Sequence, residues 1–232
     1  NTPLIHSKEI NKLCGCDIVF KADNLQKIGA FKARGACNAI LSLDETALDR
    51  GVITHSSGNH GAALSWAAQM KKISCIVVMP ENASKVKIEA VKSYGGEVVF
   101  CEPTISAREM KVQELIDEYK YTFIHPFDDK EVIIGLGTLG YEIHKQIDEQ
   151  IDYLFVPVGG GGLCAGVAAY VKSISPSTKI IAVESDDAAC LREAMLNGEP
   201  TKLSSVGLFA DGTAVAQIGT NTFEVLKELV DD

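Results

Sequence analysis

From about residue 17 onward, short β-branched apolar runs alternate with longer stretches in which apolar positions recur at helical spacing. That alternation predicts βα units around a mostly parallel sheet. Strands are expected at Ile18–Lys21, Val52–His55, Cys75–Met79, Glu97–Cys101, Thr122–Ile124, Tyr153–Val158 and Lys179–Glu184, with helices in the gaps. One step is legible in detail: Ser84 caps a helix carrying Val86, Ile88, Ala90 and Val91, and Gly95-Gly96 stops it before the next strand. The longest helical pattern runs from Ser106 to about Lys120, and no internal repeat or low-complexity stretch interrupts the series. Four of the expected strands fall between Gly51 and His125, which predicts a small lobe over 51–125 set into a larger lobe made of 1–50 and 126–232. Pro126 and the Asp128-Asp129 pair mark the return, and a cleft between two such lobes is where α/β sheets take ligands.

Composition narrows the class. At 232 residues and 46% hydrophobic content the chain can bury a large core, and its net charge of -9 opposes nucleic-acid binding. The longest apolar runs, Ile73–Pro80 and Leu154–Val158, are too short to cross a bilayer, so no membrane partner is expected. The opening Asn1-Thr2-Pro3-Leu4 lacks the basic and apolar regions of a secretory signal, which predicts a cytoplasmic protein. Seven cysteines, an odd number scattered through apolar stretches, read mainly as reduced core residues. Cys14-Gly15-Cys16 has no second pair at zinc spacing, so no metal site is assigned to it.

Four segments, each placed after a predicted strand, carry candidate chemistry. In Gly29-Ala30-Phe31-Lys32-Ala33-Arg34-Gly35 a lysine stands at a helix start, where the dipole disfavours a cation. Its amine is thereby pushed toward the neutral, nucleophilic form that Schiff-base chemistry needs; the plain alternative is an exposed lysine. Ser56-Ser57-Gly58-Asn59-His60-Gly61 leads into an alanine-rich helix from Gly61 to Met70 and forms either a carboxylate cup or an ordinary cap. Val158-Gly159-Gly160-Gly161-Gly162-Leu163 precedes a helix from Cys164 to about Ser173. Four consecutive glycines cost more backbone entropy than a turn requires, and they suit a main chain that must wrap a phosphate. Gly135-Leu136-Gly137-Thr138-Leu139-Gly140 matches a dinucleotide fingerprint, but the strand that follows ends in glycines instead of an acidic residue, which argues against nicotinamide binding.

Taken together and in this order, the segments resemble the fold-type-II pyridoxal-phosphate enzymes, the family of serine and threonine dehydratases and serine racemases. The resemblance extends from Thr2-Pro3-Leu4 to Asp231-Asp232. It implies an α/β fold like that of the tryptophan synthase β subunit, with parallel and mixed sheets, helices on both faces and two lobes. It implies that Lys32 carries pyridoxal phosphate as a Schiff base, that Phe31 lies against the ring, that Asn59 contacts the ring hydroxyl, and that Gly159, Gly160, Gly161, Gly162 and Leu163 cradle the phosphate. Most members have serine where this chain has Ala30. Ser56, Ser57, Gly58, Asn59, His60 and Arg108 are implied on the substrate side, with Ser57 as a second proton carrier opposite the lysine.

Two parts of the chain lean to different relatives. Thr54–Gly61 and Cys101-Glu102-Pro103 with Arg108 look like serine racemase, whereas Val206–Gly212 and Ala214-Val215 look like biosynthetic threonine dehydratase. The racemase metal site places an aspartate six residues after a glutamate; here Glu184 is followed by Ala188 and Cys190, so no metal is expected. Family members continue past a stretch like Val230–Asp232 to a Ser-Gly-Gly-Asn loop on the pyridine nitrogen, which implies that this chain is an incomplete catalytic core. The expected activity is α,β-elimination from L-threonine or L-serine to ammonia and a 2-oxo acid in a homodimer or homotetramer. Serine racemisation is one alternative, and an inactive ligand-binding regulatory homologue is another.

Overall fold

In the computed structural model, which describes residues 1–56, 58–207 and 209–232, the strands between 52 and 123 form one parallel sheet. Its order is β5 (Glu97–Cys101), β4 (Cys75–Pro80), β3 (Val52–His55), β6 (Thr122–Phe123). Alternate residues of β3 and β4 serve opposite faces. Val52, Val77 and Met79 enter the main core, while Ile53, Ile76 and Val78 enter a second cluster with Val112. The main-core face is covered by α4 (Asn59–Lys71) and α5 (Lys85–Ser93), and the other by α6 (Ile105–Tyr119), so helices lie on both faces. A second parallel pair, β7 (Tyr153–Pro157) and β8 (Lys179–Val183), flanks α8 (Gly162–Ile174).

Local chemistry sets most boundaries. Ser84 Oγ accepts from Lys87 N at the start of α5, and Thr104 Oγ1 accepts from Ala107 N at the start of α6. Strands β3 and β5 begin and end where the β-branched runs place them, and each of the other expected strands differs by one residue at one end. One strand was not expected, and one helix starts earlier than expected. Leu4–His6 forms β1, antiparallel to β2 (Val19–Lys21). Helix α4 begins at Asn59 rather than Gly61, which puts Asn59 and His60 in its first turn.

The dinucleotide-like glycines are placed differently from the sequence reading. Gly135, Gly137 and Gly140 lie inside α7 (Lys130–Gln146), the longest helix among the described residues, and not in a loop after a strand. They are small because neighbouring helices come close. A Cβ at Gly135 would stand 2.6 Å from the Arg34 carbonyl in α2 (Lys32–Leu41), and one at Gly137 would stand 2.8 Å from the Gly166 carbonyl in α8. The packing of α2 and α8 on α7 carries the two candidate segments that open those helices, Lys32 and the glycine run.

Candidate active site

Lys32 is the first residue of α2, with Phe31 at the cap position and a kinked approach: Ile28 holds a left-handed φ of 61° and Gly29 one of 74°. A β-branched residue in that region is strained, so surrounding structure must hold the turn that delivers Lys32. The lysine is half-buried, its Nζ donates to the Pro126 carbonyl at 2.5 Å, and it lies 5.4 Å from the Phe31 ring centroid. Removal from water pulls its pKa down to about 8, because no anion compensates the charge.

The next residue of that segment reaches the glycine run. Phe127 packs against Gly160 so closely that a side chain at 160 would collide with its ring, and a Cβ at Gly162 would stand 2.8 Å from the Phe127 carbonyl. Lys32 and the glycines, some 130 positions apart in sequence, therefore meet across Pro126-Phe127. Only Gly161 of the four holds a left-handed φ, 90°, as the cap of α8; Gly162 already belongs to the helix. Part of the demand for glycine is thus internal packing, beside any demand from a ligand. The Gly159 carbonyl accepts from Cys190 Sγ at 3.3 Å, the Gly160 carbonyl from Thr222 Oγ1 at 2.8 Å, and Leu163 is buried in the core. The main-chain N–H groups of Gly160 and Gly161 find no protein acceptor among the described residues. They sit at a helix N-terminus, a setting that favours anions.

Around the lysine stand three histidines that sequence reasoning had not grouped. His125 Nδ1 accepts from Asp128 N at 2.9 Å and Phe127 N at 3.3 Å, which fixes the segment that Lys32 binds. Burial first, then the neighbouring His55 and Lys32, lowers its pKa to about 4. His55 stacks on Phe123 with centroids 5.6 Å apart and is likewise shifted down, by burial and then by Arg108. His60 is 2% exposed, its Nε2 lies 3.4 Å from the Ile124 carbonyl, and its Nδ1 is a buried polar atom with no partner among the described residues. Burial and the charge of Lys32 hold it well below the usual histidine range.

The other expected site residues fall as follows. Ser56 closes the turn before α4, its Oγ accepting from Gly58 N at 3.2 Å, and Asn59 is exposed at the helix start. Ser57 lies outside the described residues. Arg108 is half-buried on α6, and its described side-chain hydrogen bond goes to Thr104 of its own helix, not to the Ser56–His60 turn. Glu184 accepts from Leu191 N and Arg192 N at 2.8 and 2.9 Å, so its carboxylate caps α9 (Cys190–Asn197).

Beneath the site lies a buried ionic cluster that no motif announced. Arg34, two residues after the lysine, forms paired bonds with Asp23 (2.7 and 2.9 Å) and with Glu142 (2.7 and 3.0 Å). Glu142 Oε2 also accepts from Lys21 Nζ at 2.7 Å and from Thr2 N at 3.1 Å, which ties the first residues of the chain to α7. Burial works against the Glu142 charge, but the Arg34 and Lys21 bonds prevail and hold its pKa at about 2.

Comparison with known proteins agrees with this geometry. The family model described as pyridoxal-phosphate dependent enzyme matches residues 1–232. A serine racemase of Dictyostelium discoideum is 44% identical over 99% of this chain and 71% of its own length. A threonine dehydratase of Nicotiana attenuata is 43% identical over all of this chain, which spans 38% of that protein. The structure of maize serine racemase superposes with a TM-score of 0.97 at 40% identity, covering all of this chain and 70% of the other.

Proposed function

The chain belongs to the fold-type-II pyridoxal-phosphate-dependent enzymes, and from that premise we infer that it catalyses α,β-elimination on L-threonine or L-serine, giving ammonia and 2-oxobutanoate or pyruvate. The observation that carries this reading is a desolvated lysine amine, at about 8, one residue along a shared segment from a loop of unpartnered glycine amides. The residues fit the cofactor's chemistry: an amine for its aldehyde, main-chain donors for its phosphate, and an unpartnered buried His60 Nδ1 close by. When bound, pyridoxal phosphate supplies the aldehyde that condenses with amines and a conjugated ring that takes up electrons from a broken Cα–H bond.

The chain's residues divide the remaining work. Lys32 would be the point of attachment and, when free, the base for the α proton, a role that its pKa of about 8 suits. Gly159–Gly162 and Leu163 would hold the phosphate at the start of α8, with Phe31 on the ring side and Asn59 as a partner for the ring hydroxyl. Ser56, Ser57, Gly58, Asn59 and His60 would receive the substrate carboxylate, with Arg108 also on the substrate side. The same reading carries two lobes, 51–125 and the flanking segments, and a cytoplasmic homodimer or homotetramer. A place in isoleucine biosynthesis follows only if threonine is the substrate.

Racemisation is the second reading, favoured by the 44% identity to a serine racemase. It needs Ser57 as proton carrier on the face opposite Lys32. Borohydride reduction of the protein loaded with pyridoxal phosphate, followed by peptide mapping, should label Lys32. Label on another lysine would overturn the assignment. Keto-acid release from both amino acids, with D-serine measured in parallel, separates elimination from racemisation, and silence in all three assays would leave the inactive regulatory homologue.

A further inference from the structure

The glycine loop is held from behind by a helix whose own start is held by one aspartate. The Gly160 carbonyl accepts from Thr222 Oγ1 at 2.8 Å and from Gly219 N at 3.3 Å, both at the start of α10 (Thr220–Leu229). Asp128 in turn occupies that helix start. Its carboxylate accepts from Thr220 N at 3.1 Å and Thr222 N at 3.0 Å, and its carbonyl accepts from Asn221 Nδ2 at 2.9 Å. A side chain at Gly219 would collide with the Asp128 carboxylate, so the fit is close.

The consequence follows from peptide geometry. In a trans peptide the carbonyl and the following N–H point in opposite directions. Drawing the Gly160 carbonyl onto α10 therefore turns the Gly161 N–H away from α10, toward the side where it has no protein acceptor among the described residues. Asp128 places its charge on the positive end of α10, where it is compensated. It can order the loop without opposing an anion bound on the far side. Resting on the reading that this loop holds the phosphate, we propose that Asp128 is a positioning residue for that phosphate. It acts through Thr222 and the first turn of α10 on the Gly160-Gly161 peptide.

The test compares two ligands that differ only in the phosphate. Equilibrium binding of pyridoxal phosphate and of pyridoxal is followed by absorbance for the unmutated protein, Asp128→Ala, Thr222→Val and Thr222→Ser. Asp128→Ala and Thr222→Val should weaken pyridoxal phosphate binding by about tenfold or more while pyridoxal changes less than about twofold. Thr222→Ser, which keeps the hydroxyl, should restore the preference, and the phosphorus resonance of bound cofactor should move in the two weakened variants. Equal losses for both ligands, or an unchanged ratio in both variants, would overturn the proposal. Should Asp128→Ala fail to fold, Thr222→Val decides alone. If the unmutated protein shows no preference for the phosphorylated ligand, the loop reading itself fails, a result distinct from an unchanged ratio in the variants.

Discussion

Replacing Lys32 by methionine should stabilise the cofactor-free protein while abolishing covalent attachment of the cofactor. Holding the ammonium at about 8 instead of the 10.5 of a solvated lysine costs about 3 kcal/mol at neutral pH. Methionine keeps the length and apolar stem and removes that cost. Against it stands the lost hydrogen bond to the Pro126 carbonyl, about 1 kcal/mol because that half-buried acceptor retains access to water. The net gain is about 2 kcal/mol, or several degrees in Tm for a chain of this size. The pH dependence is the sharper test. Below pH 8 the lysine is protonated both folded and unfolded, and the variant's advantage is constant. Between 8 and 10.5 the unfolded chain binds the proton and the folded one does not, so the unmutated protein gains stability and the advantage shrinks. Denaturant melts of both proteins from pH 7 to 10.5 cancel every other titrating group in the difference. A variant less stable at pH 7, or a difference flat across that range, would refute the desolvation account.

Three further outcomes follow from the packing and the histidines. Gly166→Ala should cost at least about 3 kcal/mol in denaturant unfolding, because its Cβ would meet the main chain of Gly137 at 2.6 Å, and backbone cannot give way as a side chain does. Arg34→Ala should cost about 3–5 kcal/mol by leaving Asp23 without its cation and Glu142 with Lys21 alone, whereas Lys87→Ala, which removes the exposed pair with Asp211, should cost under about 1 kcal/mol. His125→Phe should flatten the stability profile between pH 6.5 and 4. In that window the unfolded histidine takes up a proton that the folded one resists, so the unmutated protein loses stability as pH falls through it. A parallel slope in the variant would remove His125 from that account.

Most of the fold was legible because its signals are local. The β-branched runs at Val52–His55 and Glu97–Cys101, the Ser84 cap and the Gly95-Gly96 stop each act within a few residues. What was not legible depends on partners far away in the chain. The glycines of α7 match a loop fingerprint by spacing, yet their reason is the approach of α2 and α8, which no window of α7 contains. Thr2, Lys21, Asp23, Arg34 and Glu142 form one cluster drawn from four segments, and the only sequence trace is a charged residue on an otherwise apolar or small-residue face. In the candidate site, Lys32 and the glycine run stood out because each is locally costly. His125 and Asp128 did not stand out, because a histidine before proline and an acidic pair read as an ordinary loop until α10 is seen to rest on them.

The proposed phosphate site has to receive an anion in a chain that carries a net charge of -9. Recruiting arginines would answer the long-range field, but it would also put fixed charge beside the lysine and lower its pKa further. The arrangement instead uses donors without formal charge. In the proposed site the glycine amides and the α8 terminus would face the anion, and His55, His60 and His125 are all shifted toward the neutral form by burial. Neutral imidazoles at His60 and His125 add no cation to the surroundings of Lys32. Its protonation, rather than that of the histidines, then sets how the site responds above pH 7; behind it Glu142 is paired with Arg34 and Lys21, and Asp128 is held by the first amides of α10.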